Sequence, residues 1–287
     1  MGNTKKKRDV RPAKPPRMEF EERDGDILKF TGDCRVVRQD QIHKMFFGNS
    51  KSASTRRLAL LFYHGFLQRL FLPVVIGRSP TLYVLDHKGA DFLRSNYGYD
   101  IRWYPSSRDL KPYFLDHALA INEVRIAVSL ACRQPGYELK TWLGESFLKA
   151  NYDRVAIETD DGLRAVSLIP DSFFALKTPQ HIARFFLELD RGTETTGRFQ
   201  SKVKAYLAYC KNDDCQRRYR SQNMRVLTVV TGGEKRLADL KHVTEQAGGS
   251  GRFWFSRATD LSAGTILHSS VWQKAGYDDL HTLIEPK

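Results

Sequence analysis

From residue 137 onward the chain alternates between two hydrophobic periods, and that alternation limits the fold more than any other feature. Stretches 137–143, 154–159, 163–170, 182–189, 225–231 and 253–256 carry apolar, β-branched and aromatic residues as strands do. Stretches 197–211 and 234–248 carry helical spacing instead, and both fall between later strands. A strand, a crossover helix and a further strand form the repeating unit of an α/β sandwich. Asp160-Asp161-Gly162 marks a hairpin turn, and residues 172–177 are expected to continue that meander. Just ahead of the change, Gln134-Pro135-Gly136 ends a long helix predicted over 113–133.

The front of the chain reads differently. Short helices are predicted over 24–33, 40–47 and 54–66. The second opens on Asp40 as N-cap, places Ile42, Met45 and Phe46 on one side, and stops at Phe47-Gly48-Asn49. The third buries Leu58, Leu61, Phe62 and Phe66. Two helices around a tight Gly/Asn/Ser turn make a helix-turn-helix. Lys51, Ser52, Ser54, Thr55, Arg56 and Arg57 cluster at the start of the third helix, the end that enters the major groove in such modules. Short hydroxyls and arginines there reach phosphates and guanine edges. Two β-rich runs, 71–76 and 81–85, flank Gly77-Arg78-Ser79-Pro80 and read as a wing with Arg78 at its tip. The same pattern also fits a module that recognises a protein partner.

Charge favours the DNA reading. The formal net charge is +13, and residues 1–100 hold 19 Lys and Arg against 11 Asp and Glu. A cationic surplus of that size suits a polyanionic partner, because it attracts phosphate and releases its counterions. The four cysteines are too scattered for a disulfide scaffold, so reduced thiols and a cytoplasmic setting are expected. No apolar run approaches the ~18 residues that a membrane span needs. The expected organisation is a disordered basic tail over 1–18, a winged-helix domain over 19–100 and an α/β domain over 101–287. His117, Asn122 and Glu123, on the long helix, are read as capping or surface contacts.

Chemistry is concentrated at Pro170-Asp171 and Glu188-Leu189-Asp190. Alternate strand residues share a face, so Glu188 and Asp190 point the same way, with Phe186. Adjacent carboxylates repel, and the cost is tolerated where a divalent cation or a basic side chain neutralises them. Asp171, Glu188 and Asp190 are therefore candidate ligands for Mg²⁺ or Mn²⁺. On the following helix, Lys202 lies one turn from both Phe199 and Tyr206 and could face them; Glu145 could reach the cluster from the first strand. The competing reading is an ion-paired cluster that only positions the helix, with Arg191 or Arg198 as partners.

Pro170-Asp171, Glu188-x-Asp190 and a helix with Lys202 and Tyr206 resemble the PD-(D/E)xK nuclease superfamily. The third motif position, usually lysine, is Asp190 here, and the resemblance implies that Lys202 replaces it from the helix. Over nearly its full length the chain resembles the bacterial replication-relaxation family. The marks are the front winged helix, stretch 117–125, Pro170-Asp171 and stretch 185–193 (Phe-Phe-Leu-Glu-Leu-Asp-Arg-Gly-Thr). That resemblance implies work on double-stranded DNA in the replication or relaxation of plasmids and mobile elements. Its partners would be a second copy of the chain or replication and mobilisation proteins. Two activities stay open: a metal-dependent endonuclease or nickase using Asp171, Glu188, Asp190, Lys202 and Glu145, and a non-catalytic accessory factor or regulator.

Overall fold

The computed structural model describes residues 8–72, 79–99, 112–159, 162–211 and 213–285. The chain is a mixed α/β protein dividing into two compact units, Met1–Glu123 and Val124–Lys287. Among the described residues no helix is long and apolar enough to cross a membrane.

In the front unit, α1 (Glu22–Cys34) leads through β1 (Val37–Arg38) into α2 (Gln39–Phe46) and α3 (Lys51–Tyr63). Then come β2 (Leu67–Phe71), β3 (Thr81–Leu85) and α4 (His87–Tyr97). The strands form an antiparallel sheet in the order β1-β3-β2. Ile27, Leu28, Ile42, Leu58 and Leu61 are fully buried and supply the core. The N-cap of α2 is Arg38, whose backbone N–H donates to Gln41 Oε1. Asp40, expected in that role, instead accepts from the Arg38 guanidinium. α3 ends at Tyr63, short of the expected 66, because Gly65 turns the chain at φ +82°. β2 consequently begins at Leu67 rather than at residue 71. α4 crosses close over this turn at Gly89, where an added methyl would stand 2.2 Å from the Phe66 carbonyl oxygen. Residues 73–78, and with them Arg78, lie outside the described residues.

The expected limits of this unit change at both ends. In α5 (Pro112–Ala131), Leu115 and Leu119 pack with Val36, Leu70, Leu82 and Val84. Gln41 donates to Leu119 O and Asn122 to Val36 O, each at 2.8 Å. The front unit therefore runs to Glu123, past the limit expected near 100. From Arg8 onward the basic tail is fastened rather than loose. Arg8 donates to Thr81 Oγ1, and Arg11 donates to Phe62 O and to the carboxylate of Asp86. Asp86 is buried, so the cation satisfies a group that would be costly alone.

The rear unit is built on a seven-stranded mixed sheet. Its elements in chain order are β4 (Glu138–Gly144), α6 (Glu145–Ala150), β5 (Asp153–Thr159), β6 (Gly162–Leu168), β7 (Ser172–Lys177) and β8 (Ile182–Asp190). They continue with α7 (Thr196–Lys211), α8 (Asp214–Tyr219), β9 (Met224–Val230), α9 (Glu234–Gln246), β10 (Phe253–Arg257), β11 (Trp272–Lys274) and β12 (Leu280–His281). The sheet order is β12-β11-β10-β9-β8-β7-β4. β8, β9 and β10 run parallel, joined by crossovers that carry α7 and α9. The hairpin expected around 160–162 is present as β5 and β6, paired from Asp153↔Leu168 to Thr159↔Gly162. It does not continue into β7, because β7 pairs with β4 and β8 and leaves the hairpin as a separate ribbon. Val155 and Ile157 on one face of the ribbon join Phe199, Val203 and Tyr209 of α7 in the core. The opposite face of the sheet holds a ladder of stacked rings, Trp142 on Phe174 and Phe174 on Phe185.

Candidate functional site

Strand register brings the acidic residues together. Ser172 pairs with Leu187, so Asp171, one residue earlier, is level with Glu188 at the end of the β7–β8 ladder. One Asp171 oxygen accepts the backbone N–H of Leu189 at 2.8 Å. Glu188 and Asp190 lie on the face of β8 that carries Phe186, as the two-residue period requires. Both are buried, at 3% and 4% exposure.

Each of the two carboxylates is matched by a different helix. Lys202 Nζ donates to Glu188 Oε2 at 2.8 Å, and the Tyr206 hydroxyl donates to Glu188 Oε1 at 2.5 Å. Lys202 and Tyr206 are one turn apart on α7, which puts both donors over the same carboxylate. Burial pushes the Glu188 carboxyl up to about 7; Lys202 and Tyr206 oppose that shift and the Asp171 charge adds to it. Burial alone would lower the Lys202 ammonium, but Glu188, Glu194 and Asp171 outweigh it and hold the group above its ordinary value. Asp190 meets Arg236 of α9 in a two-pronged pair, Nε to Oδ1 at 2.8 Å and Nη2 to Oδ2 at 2.7 Å. The Gly192 N–H gives Oδ1 a second donor at 2.8 Å. Arg236 Nη2 also donates to Glu194 O at 2.6 Å, which ties the β8–α7 connection to α9.

Two members of this cluster, Arg236 and Glu194, escape a reading of the sequence. Arg236 is 46 residues from Asp190 and has no local pattern to mark it. Glu194 immediately follows the 185–193 stretch, and its carboxylate reaches Lys202 at 3.2 Å. Of the cations considered as partners for the pair, Arg198 lies against Glu194 instead, at 3.4 Å. Glu145, at the start of α6, forms its ion pair with Lys149, one turn along the same helix.

The carboxylates expected as metal ligands, Asp171, Glu188 and Asp190, thus have oxygens occupied by protein donors. Mg²⁺ and Mn²⁺ take open oxygens in a near-octahedral shell. Both oxygens of Asp190 face Arg236, and both of Glu188 are bound by Lys202 and Tyr206. Among the described residues no three His, Cys, Asp or Glu side chains form a group that could hold a metal ion. In this arrangement the residues do not fit a divalent cation.

The second cluster, in the front unit, is cationic and open. Lys51, Ser52, Thr55 and Arg56 are exposed on the first turns of α3, and no acidic residue stands in its first turn. Beside them a groove of about 500 Å³ is lined by Arg8, Arg38, His43, Lys51 and Thr55, among others, and by one carboxylate, Asp40, which pairs with Arg38. The remaining two residues of the predicted set turn inward. Ser54 is buried at 1% exposure. Arg57 donates through Nε to Asp24 Oδ1 at 2.7 Å and through Nη2 to Glu19 O at 2.6 Å. Its Nη1 also lies 2.9 Å from Glu21.

A family model described as replication-relaxation matches residues 28–224, more than half of the chain. The chain belongs to the replication-relaxation family. The match takes in α2, α3 and Asp171, Glu188, Asp190 and Lys202, while Arg236 lies beyond it, so family membership rests on both units. Among solved structures, the chain is similar at 11% identity to one described as restriction endonuclease FokI bound to DNA. That match has a TM-score of 0.26 and covers 83% of this chain and 43% of the other, so this chain spans less than half of that protein's length. No curated protein matches.

Proposed function

We propose that the protein binds duplex DNA through a winged helix-turn-helix in its front unit and serves plasmid or mobile-element replication as a non-catalytic accessory factor or regulator. Its rear unit is then a PD-(D/E)xK-like scaffold in which the charged cluster holds strands and helices together. The supporting observation is the exposed start of α3. Lys51, Ser52, Thr55 and Arg56 crowd a helix end that already bears positive dipole charge, with no acidic residue in its first turn. The order α1-β1-α2-α3-β2-β3, with β3 between β1 and β2, supports this reading, with α3 as the recognition helix.

A Lys51→Ala/Arg56→Ala variant tests this reading. Both side chains are exposed, so the variant should keep the wild-type circular dichroism spectrum and melting temperature. Its affinity for duplex DNA should fall about tenfold or more, and the slope of log K against log salt should flatten by about 2. Unchanged affinity and slope would remove α3 as the DNA contact.

A second reading, metal-dependent nicking, is favoured by one observation: Asp171 stands level with Glu188 across the β7–β8 pair, and Lys202 donates to the same Glu188. It predicts that wild-type protein relaxes supercoiled plasmid when Mn²⁺ is added and that Glu188→Gln does not. Plasmid left supercoiled by the wild type, or nicked equally by both proteins, leaves the non-catalytic reading standing.

A further inference from the structure

The junction of α7 and α8 carries sulfur chemistry that DNA binding does not use. Cys210, in the last turn of α7, and Cys215, in the first turn of α8, are free thiols with their sulfurs 2.8 Å apart. A disulfide bond is about 2.05 Å long, so only a small approach separates this pair from a covalent link. The two thiols differ in access. Cys215 is fully buried, whereas Cys210 is partly exposed. The contact between the two thiols holds Cys210 below its ordinary value, against burial and with help from the Arg252 charge. The same contact and burial push the Cys215 thiol upward. A partly exposed cysteine next to a fully buried one is the arrangement of an attacking and a resolving cysteine.

We propose that Cys210 and Cys215 form a reversible disulfide by exchange with a low-molecular-weight disulfide of the glutathione class. The Cys210 thiolate attacks one sulfur of the oxidised compound, giving a mixed disulfide and expelling one thiolate. Cys215 then releases its proton to solvent, and its sulfur attacks that of Cys210, expelling the second thiolate. The two protein thiols lose two electrons in all, and the small disulfide is reduced to two thiols. The new bond staples the end of α7 to α8. The same two helices carry Tyr209 and Arg218, which both donate to Asp153 of β5, so the staple secures the attachment of the ribbon.

Full-length reduced protein, incubated with oxidised glutathione and then quenched by alkylation, tests the proposal by mass spectrometry. The expected product has lost two hydrogens, yields a linked Cys210–Cys215 peptide, leaves Cys34 and Cys132 alkylated, and reverts with dithiothreitol. Cys215→Ser should stop at one glutathione adduct on Cys210, and Cys210→Ser should take none. Circular dichroism confirms that each variant is folded, and the wild-type product alone decides the matter should a variant fail that check. Alkylation of both residues in the presence of excess oxidised glutathione would overturn the assignment, as would glutathione adducts on both without a link. The DNA reading plays no part in either outcome.

Discussion

Replacing Arg236 with alanine is expected to cost the rear unit about 3–5 kcal/mol, as removal of one partner from a buried ion pair does. The Asp190 side chain is only 2% exposed, and its carboxylate receives both prongs of this guanidinium. With Arg236 gone, Asp190 keeps the Gly192 N–H, a poor exchange for a buried charge. The connection between β8 and α7 would loosen as well, because Arg236 also holds Glu194 O. Urea denaturation of the full chain, followed by the fluorescence of Trp254 and Trp272 together with circular dichroism, measures the loss. Arg236→Lys should fall between wild type and alanine, since an ammonium cannot supply the planar fork. An Asp190→Asn/Arg236→Met pair should recover a large part, because no charge is then left unmatched. A loss under about 0.5 kcal/mol in Arg236→Ala, the range of an ordinary surface change, would show that the pair does not hold the fold.

Arg57→Ala should be about as costly to the front unit, again about 3–5 kcal/mol. Asp24 is fully buried and accepts from both Nε and Nη2 along one edge of the guanidinium, while Arg57 also reaches Glu19 O and Glu21. Asp24 also accepts the Glu21 N–H at 2.8 Å, so losing its cation disturbs the start of α1. Asp24→Asn in the Arg57→Ala background should restore part of the stability by removing the stranded charge. The contrast with its neighbours on α3 is diagnostic. Lys51→Ala/Arg56→Ala should lose DNA affinity with the fold intact, whereas Arg57→Ala should lose both together. If Arg57→Ala melted like wild type and weakened DNA binding alone, Arg57 would belong to the contact surface and not to the core.

That contrast was accessible in the sequence only in part. Arg56 and Arg57 are equivalent by composition, and both were grouped with the helix start. Helical phase separates them: Arg57 falls three residues after Ser54 and four before Leu61, along the buried side, while Arg56 is turned about 100° away. The strand period places Glu188 and Asp190 on one face, and spacing on α7 turns Lys202 toward them, whereas the hydroxyl of Tyr206 on Glu188 is not legible from its place in the helix. The partner of Asp190 was hidden because nothing within one or two turns of a sequence records a contact made across 46 residues. The hairpin of β5 and β6 was legible from its turn, but its departure from the sheet was not, because local pattern fixes a strand and leaves its neighbours undetermined. In the front unit, Gly65 after His64 is the stop signal that sets the start of β2, ahead of the more conspicuous Gly77-Arg78 turn.

The pairing of β4 with β7 has a kinetic consequence. Glu138 lies opposite Lys177, so this ladder joins positions 39 residues apart, with α6 and the ribbon between them. Closure of so large a loop must precede any reward from the ladder, which slows folding. During synthesis β4, with Trp142 and Leu143, emerges before the strand it will join exists. Until residue 177 has cleared the ribosome, that apolar segment has no ladder to enter and is open to misassociation between nascent chains.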